Sequence, residues 1–238
     1  MQAIILAGGF GTRLRSLLGD IPKPMAPIHG RPFLAYVLDH LHAQGITQVT
    51  LSVHYLREQI QNYFHDTYHG VAINYVVEEK PLGTGGAIKF SLLQTASSSA
   101  EPMFVLNGDT FLRLDYRAMY KQHKASKALL TMALHEEKNC SRYGAVVTKG
   151  KQVIAFQEKG QEGAGYINAG VYLVQPDLFS AYPMPEQFSF ETDFLFPKIQ
   201  SLKPQAFVVN DYFIDIGIPE DYARAVMQFR DEMAPVTA

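Results

Sequence analysis

The run QAIILAGGFGTR, residues 2–13, decides how the rest of the 238-residue chain is read. Its first six residues carry a continuous apolar centre and read as a buried strand. GGFGTR, residues 8–13, then spends three glycines, a threonine and an arginine on six positions. Such a loop exposes backbone N–H groups to an anion, because glycine tolerates left-handed backbone and presents no side chain. Arg13 adds a guanidinium able to grip phosphate oxygens in pairs. Two common phosphate loops do not fit. The dinucleotide fingerprint needs a third glycine where Leu14 stands, and a helix for which the Pro22-Lys23-Pro24 run leaves no room. The Walker A spacing is absent. Taken alone, the loop is equally a tight turn with a surface arginine. Lys23, held between two prolines that restrict the backbone on both sides, supplies a second cation with little freedom to wander.

Outward from this loop, the first half alternates strand and helix patterns. Strands are expected at Gln2–Ala7, Gln48–Val53, Ala72–Val77 and Pro102–Leu106, with helices at Pro32–Gln44, Leu56–Phe64 and Gly85–Gln94. Pro32 suits a first helical turn and Gly45 a stop. Phe33, Tyr36, Val37, His40 and Leu41 form one face at three- and four-residue spacing. Strands separated by helices imply right-handed crossovers and an open α/β sheet. After Asp109 the rhythm changes. Leu129–Leu134, Gly144–Val147, Val153–Gln157 and Ile167–Val174 read as strands with little helix between them, so the second half is expected to be mixed or antiparallel. A helix over Glu191–Gln200, a strand at Tyr212–Ile214 and a helix from Pro219 to about Met233 complete the pattern. SSSA, residues 97–100, reads as a short surface loop. GGFGTR, NGD (107–109) and DIG (215–217) all follow strands, where doubly wound sheets place ligands.

The totals narrow the class. The chain is long enough for one sizeable core. A net charge of −2 gives no basic face for nucleic acid. Cys140 is the single cysteine, which excludes an internal disulfide and fits a reducing compartment. No signal-peptide pattern or membrane-length apolar run is present, so a cytoplasmic protein without a membrane partner is expected. The eight histidines show no zinc-binding pattern. His54 reads as a polar loop residue, and Cys140, in EEKNCSRYG, has no nearby nucleophile motif.

LAGGFGTRL and IPKPMAPI, followed by EEKPLGTGGA, LNGDTF, FQEKG, INAGVY, FSFETDF and YFIDIGIPEDY, resemble the ordered motifs of the sugar-phosphate nucleotidyltransferases over essentially the full length. The resemblance is greatest to the heptose 1-phosphate guanylyltransferases. It implies a Rossmann-like, GT-A-like doubly wound mixed sheet: a single domain with a smaller sugar-binding β subregion, residues 1–110 being the mainly nucleotide-binding half and 111–238 the mainly sugar-phosphate-binding half. The implied reaction joins a nucleoside triphosphate to a sugar 1-phosphate and releases pyrophosphate. It also implies Mg2+ bound by Asp109 and Asp215, and Arg13, Lys23 and Lys159 as the cations on the phosphates. Leu6, Ala7, Gly8, Gly9, Gly11, Thr12, Pro81, Gly83, Thr84, Asn107 and Gly108 would complete the nucleotide site. Gly144, Glu158, Asn168, Ala169 and Gly170 would contact the sugar phosphate. A homodimer is a working expectation.

Glu78 stands five residues before Gly83, where relatives that select thymine or uracil commonly place glutamine. An ionised carboxylate only accepts hydrogen bonds, and guanine offers two adjacent donors, so GTP is the expected nucleotide, with Glu79 the alternative reader. Glu191 and Asp193 match an acidic motif that could order a loop. The competing readings are a uridylyltransferase acting on N-acetylmuramate 1-phosphate, a mannose 1-phosphate guanylyltransferase, and a non-catalytic nucleotide-sugar sensor. A sensor needs affinity without the acidic pair and the attacking-group lysine.

Overall fold

The computed structural model describes residues 1–11, 13–95, 101–160 and 162–232. In the first half, β1 (Gln2–Leu6), α1 (Arg15–Leu18), β2 (Pro27–Ile28), β3 (Arg31–Pro32), α2 (Phe33–Ala43), β4 (Gln48–Val53), α3 (Arg57–Phe64), β5 (Thr67–Tyr68), β6 (Val71–Val77), α4 (Gly83–Thr95) and β7 (Met103–Asn107) follow in order. β8 (Thr110–Leu112), α5 (Tyr116–Ser126), β9 (Leu130–Glu137), β10 (Val146–Lys149), β11 (Gln152–Phe156), β12 (Gly165–Val174), α6 (Leu178–Ala181), α7 (Phe196–Leu202), β13 (Gln205–Val209), β14 (Phe213–Asp215) and α8 (Pro219–Glu232) make the second.

One ten-stranded sheet runs β10-β11-β13-β9-β12-β7-β1-β4-β6-β5. β7, β1, β4 and β6 are mutually parallel, while β12 joins β7 antiparallel and ends the parallel block. Alternation along the strands builds a core on each face. Ile5, Val49 and Leu51 pack with α2 and α3, whereas Ile4 and Val105 pack with Ile88 of α4 and the Phe188–Phe194 cluster. From β1 the chain crosses one face, and from β6 it returns across the other to reach β7. The carboxyl ends of β1 and β7 therefore flank a switch point, and a crevice opens there.

Several expectations are corrected. The loop after Gly11 does form a helix before Pro22, the single turn α1, because four residues fit where a longer helix would not. Pro32 closes the β2–β3 hairpin and precedes α2 instead of lying in its first turn. α2 is buried almost all round, with Leu34, Ala35 and Leu38 as well as the predicted face. It lies between the sheet and Phe111 and Phe229; Phe229 meets Tyr36 edge to face, and Phe111 packs at a tilt on His40. Helix α5 and strand β13 escaped the pattern reading. α5 (YRAMYKQHKAS) is strongly polar, with Tyr116, Met119 and His123 buried. β13 (QAFVV) is short and pairs parallel with β9, so nothing local announces it. The Glu191–Gln200 helix begins as a π-helical turn over Phe190–Leu195 and continues as α7. Gly144 precedes β10, and Tyr212 precedes β14. The 97–100 loop lies outside the described residues. Among those described, no helix is long and apolar enough to cross a membrane.

Candidate active site

Two adjoining cavities occupy the switch point. A cavity of about 190 Å3 is walled by Leu6, Gly8, Gly9, Glu78, Pro81, Gly83 and Thr84, with Phe10, His54, Leu82 and Ala87. Its neighbour, about 260 Å3, is walled by Leu6, Ala7, Gly9, Gly11, Lys23, Pro24, Thr84, Asn107 and Asp109. They share Leu6, Gly9 and Thr84, so one groove runs from Glu78 to Asp109 across the ends of β1 and β7. A Cβ on Gly9 would meet nothing within 4 Å, which leaves its backbone open. Gly108 serves packing instead. Its N–H donates to the Leu6 carbonyl at 3.0 Å, and a Cβ there would stand 2.6 Å from that oxygen. Thr12 lies outside the described residues. Arg13 is exposed and lines neither cavity.

Glu78 is buried and firmly held. Ser52 Oγ donates to Oε1 at 2.8 Å, and the Leu82 N–H donates to Oε2 at 3.2 Å. A carboxylate has about four acceptor positions, so capacity remains for two donors from a ligand. Glu79, the alternative, is exposed and lines neither of these cavities. Behind this wall, Gly85 and Gly86 begin α4 against Phe188 and Glu186. The Gly85 N–H donates to the Phe188 carbonyl at 3.0 Å, and any larger residue would enter the Phe188 ring.

At the other end, Lys23 Nζ lies 2.9 Å from Asp109 Oδ2. β14 pairs with β8 so that Asp215 faces Thr110, and the Ile216 N–H donates to the Asp109 carbonyl at 2.9 Å. Two aspartates from distant parts of the chain are thus neighbours. Burial raises the Asp215 carboxyl above its ordinary range and the charge of Asp109 adds to this, while the Gly217 N–H, Arg142 and Lys23 oppose it. Crowded anionic oxygens of this kind suit a hard divalent cation. No group of three or more acidic, histidine or cysteine side chains able to hold a metal occurs among the described residues. Such an ion would therefore complete its shell with water and phosphate, the usual habit of Mg2+.

The sugar-side residues approach this point from the second half. β12 is antiparallel to β7 and bulges between Asn168 and Tyr172, setting Gly170 beside Asn107. Gly170 has φ +67°, and a Cβ there would stand 2.5 Å from Asn107 Nδ2, so its glycine is explained by the protein's own packing. Asn168 Nδ2 donates to Glu191 Oε1 at 2.6 Å and to the Tyr172 hydroxyl at 2.6 Å. Asp193 accepts from the Ser189 N–H at 2.7 Å, a loop-ordering role. Ala169 is fully buried, backbone included. Glu158 and Lys159 are exposed on a loop tied to residues 141–145, with the Gly160 N–H donating to Ser141 O and the Gln157 N–H to Ala145 O, both at 2.7 Å. Gly144 lies beneath that loop, its hypothetical Cβ 3.7 Å from Lys159 Cγ.

Phe10 and Arg142 escaped the sequence reading, and His54 reads there only as a polar loop residue. Phe10, half exposed, and His54 meet edge to face at the smaller cavity, where His54 Nδ1 lies 2.6 Å from the Glu78 carbonyl oxygen. An aromatic inside a glycine loop was the available signal. Arg142 stands beside Asp215, two residues from the cysteine that drew attention to that segment. Cys140 is buried, and burial pushes its thiol up, away from reactivity.

Residues 2–232 match the family model described as nucleotidyl transferase. The chain belongs to the nucleotidyltransferase family. It is 48% identical over 225 residues to D-glycero-alpha-D-manno-heptose 1-phosphate guanylyltransferase of Aneurinibacillus thermoaerophilus, covering 94% of this chain and 96% of that one. The protein of the same description from Campylobacter jejuni subsp. jejuni serotype O:2 is 46% identical, covering 93% and 97%. The crystal structure of HddC from Yersinia pseudotuberculosis complexed with GMP-PN superposes with a TM-score of 0.84 at 40% identity, covering 96% of this chain and 99% of that one. The expected single-domain mixed α/β fold is the observed one, and the chain is an enzyme of nucleotidyl transfer.

Proposed function

We propose that the chain is a cytoplasmic, Mg2+-dependent guanylyltransferase that joins GTP to D-glycero-α-D-manno-heptose 1-phosphate, giving the GDP-sugar and pyrophosphate. The observation that carries this reading is the meeting of Asp109 and Asp215 beside Lys23, at the end of a groove whose far wall is the buried carboxylate of Glu78. The similarity to heptose 1-phosphate guanylyltransferases supports the choice of substrates.

The reaction's difficulty is charge. Two unit charges near 4 Å repel by about 4 kcal/mol at an effective dielectric of about 20, and several such pairs meet when a sugar phosphate approaches a triphosphate. Positioning and neutralisation therefore supply most of the acceleration, and no covalent enzyme intermediate is needed. Glu78 accepts from guanine N1–H and the N2 amine, with Ser52 and the Leu82 N–H fixing its plane. The backbone of Gly8, Gly9 and Gly11 with Thr12 cradles the triphosphate, and Arg13 closes over it. Lys23 turns from Asp109 to the α-phosphate and the departing pyrophosphate. Asp109 and Asp215 would hold Mg2+, which when bound would screen the charge of the phosphates. Lys159 steadies the attacking sugar phosphate in line, while Glu158, Asn168 and the backbone of Gly144 and Gly170 contact the sugar.

A pyrophosphate-release screen crossing GTP, UTP, dTTP, CTP and ATP with a panel of sugar 1-phosphates tests the reading. Fastest turnover is expected for GTP with the heptose phosphate. A preference for UTP would overturn the role of Glu78, and inactivity with every pair would leave a sensor.

A further inference from the structure

The proposed reaction uses Lys23, Arg13 and Lys159, but it leaves one cation at the acidic pair without a task. Arg142 Nη2 stands 3.9 Å from Asp215 Oδ2. The same guanidinium reaches through Nη1 to Asp221 Oδ2, in the first turn of α8. Asp221 is buried, 4% exposed, and also pairs through Oδ1 with Arg224 at 3.0 Å. Its Oδ2 makes no aligned hydrogen bond, so charge holds the Arg142 contact. Arg142 also lies over the Tyr143 ring, 4.9 Å from its centroid.

This arrangement is asymmetric in a useful way. The anchor is desolvated and fixed, whereas the contact to Asp215 is long and is made by a side chain 35% exposed. At that length the contact is beyond hydrogen-bonding distance, so the second nitrogen is easily surrendered. Each aspartate of the pair thus carries its own cation, Lys23 on Asp109 and Arg142 on Asp215. Once a divalent ion takes the carboxylates, both cations need new anionic partners. Lys23 faces the nucleotide groove. Arg142 belongs to the segment tied to the Lys159 loop by the Gly160 and Gln157 N–H bonds. That places it on the side from which the second substrate enters.

We propose that Arg142 is a phosphate-binding residue of the sugar 1-phosphate site, anchored by Asp221, balancing Asp215 until a divalent cation takes that carboxylate, and then gripping the incoming phosphate beside Lys159. The inference rests on the function proposed above. Asp221 is the positioning residue, because it acts only through the guanidinium.

The test combines substrate kinetics with Mn2+ titration of the substrate-free enzyme followed by electron paramagnetic resonance. Arg142→Ala is expected to raise KM for the sugar phosphate about ten- to a hundredfold, the size of a lost charged hydrogen bond, with KM for GTP within about twofold. In the same variant, Mn2+ should bind about two- to fivefold more tightly, since a competing cation is gone. A merely structural arginine would weaken the metal site instead. Arg142→Lys keeps the charge without the fork, so Mn2+ affinity should stay near wild type while KM for the sugar phosphate rises. Asp221→Asn should show the KM defect with a melting temperature that permits assay. An unchanged sugar-phosphate KM in both arginine variants, or weaker Mn2+ binding in Arg142→Ala, overturns the proposal. Wild-type inactivity on GTP and heptose phosphate would instead remove the proposed function. The Mn2+ titration would then decide alone whether Arg142 competes for Asp215.

Discussion

The two ends of the groove are built differently. The nucleotide end is rigid: Glu78 is buried, clamped by Ser52 and the Leu82 N–H, and backed by a helix that touches Phe188 through glycine. The sugar-phosphate end presents charged side chains on loops, with Lys159 and Glu158 exposed and Arg142 shared between two carboxylates. Base selection requires fixed acceptors, because discrimination depends on leaving a wrong partner unsatisfied. Phosphate capture requires mobile cations that can leave one anion for another. The contrast separates a reading surface from a neutralising one.

Breaking the neutralising end should have the largest consequence. Asp109→Asn is expected to lower kcat about a thousandfold in Mg2+ with the melting temperature little changed, and wild-type turnover would remove Asp109 from metal binding. Lys159→Ala should raise KM for the sugar phosphate about a hundredfold and leave GTP binding intact; isothermal titration with each substrate separates the two. At the reading end, Glu78→Gln should reduce the preference for GTP over UTP by about tenfold in kcat/KM, within the 1–3 kcal/mol expected of one base contact. An undiminished preference would mean that another group reads the base.

The remaining predictions concern the scaffold. Gly85→Ala forces a methyl into the Phe188 ring and should destabilise the fold by about 1–3 kcal/mol, lowering the melting temperature by several degrees. His123, fully buried against the Thr131 hydroxyl, is pushed down to about 4 by burial, with the nearby Lys124 charge adding to this. Its folded pKa lies below the unfolded value near 6.5, so the unfolded chain binds the proton first and stability falls as pH drops through that range. About 1 kcal/mol should be lost from this group between pH 7 and pH 5.5, and His123→Gln should flatten that part of a denaturation-versus-pH curve.

How much of this was legible depended on whether the signal was local. The sequence pattern predicts β4 with its exact ends, and β1, β6 and β7 to within a residue, because β1 and β7 are short continuous apolar runs while β4 alternates apolar and polar residues and β6 alternates buried and exposed ones. α5 was hidden by its polar sequence, although Asp115 caps it by accepting from the Ala118 N–H. β13 owes its place to a partner more than sixty residues earlier in the chain. In the site, glycines and lysines between prolines announced themselves. Arg142 did not, because its importance comes from Asp221 and Asp215, which only folding brings near.

The position of β13 has a consequence for how the molecule is made. It is inserted between β9 and β11, both synthesised earlier, and is paired with β9 along five residues. Until the ribosome has released Gln205–Val209, the edge of β9 lacks this neighbour and Met132 and Leu134 lack part of their cover. A nascent chain stalled before that point would carry an open β edge, a template for pairing with another chain, while α2 still lacked its cover from Phe229. Truncations ending just before Gln205 should therefore aggregate.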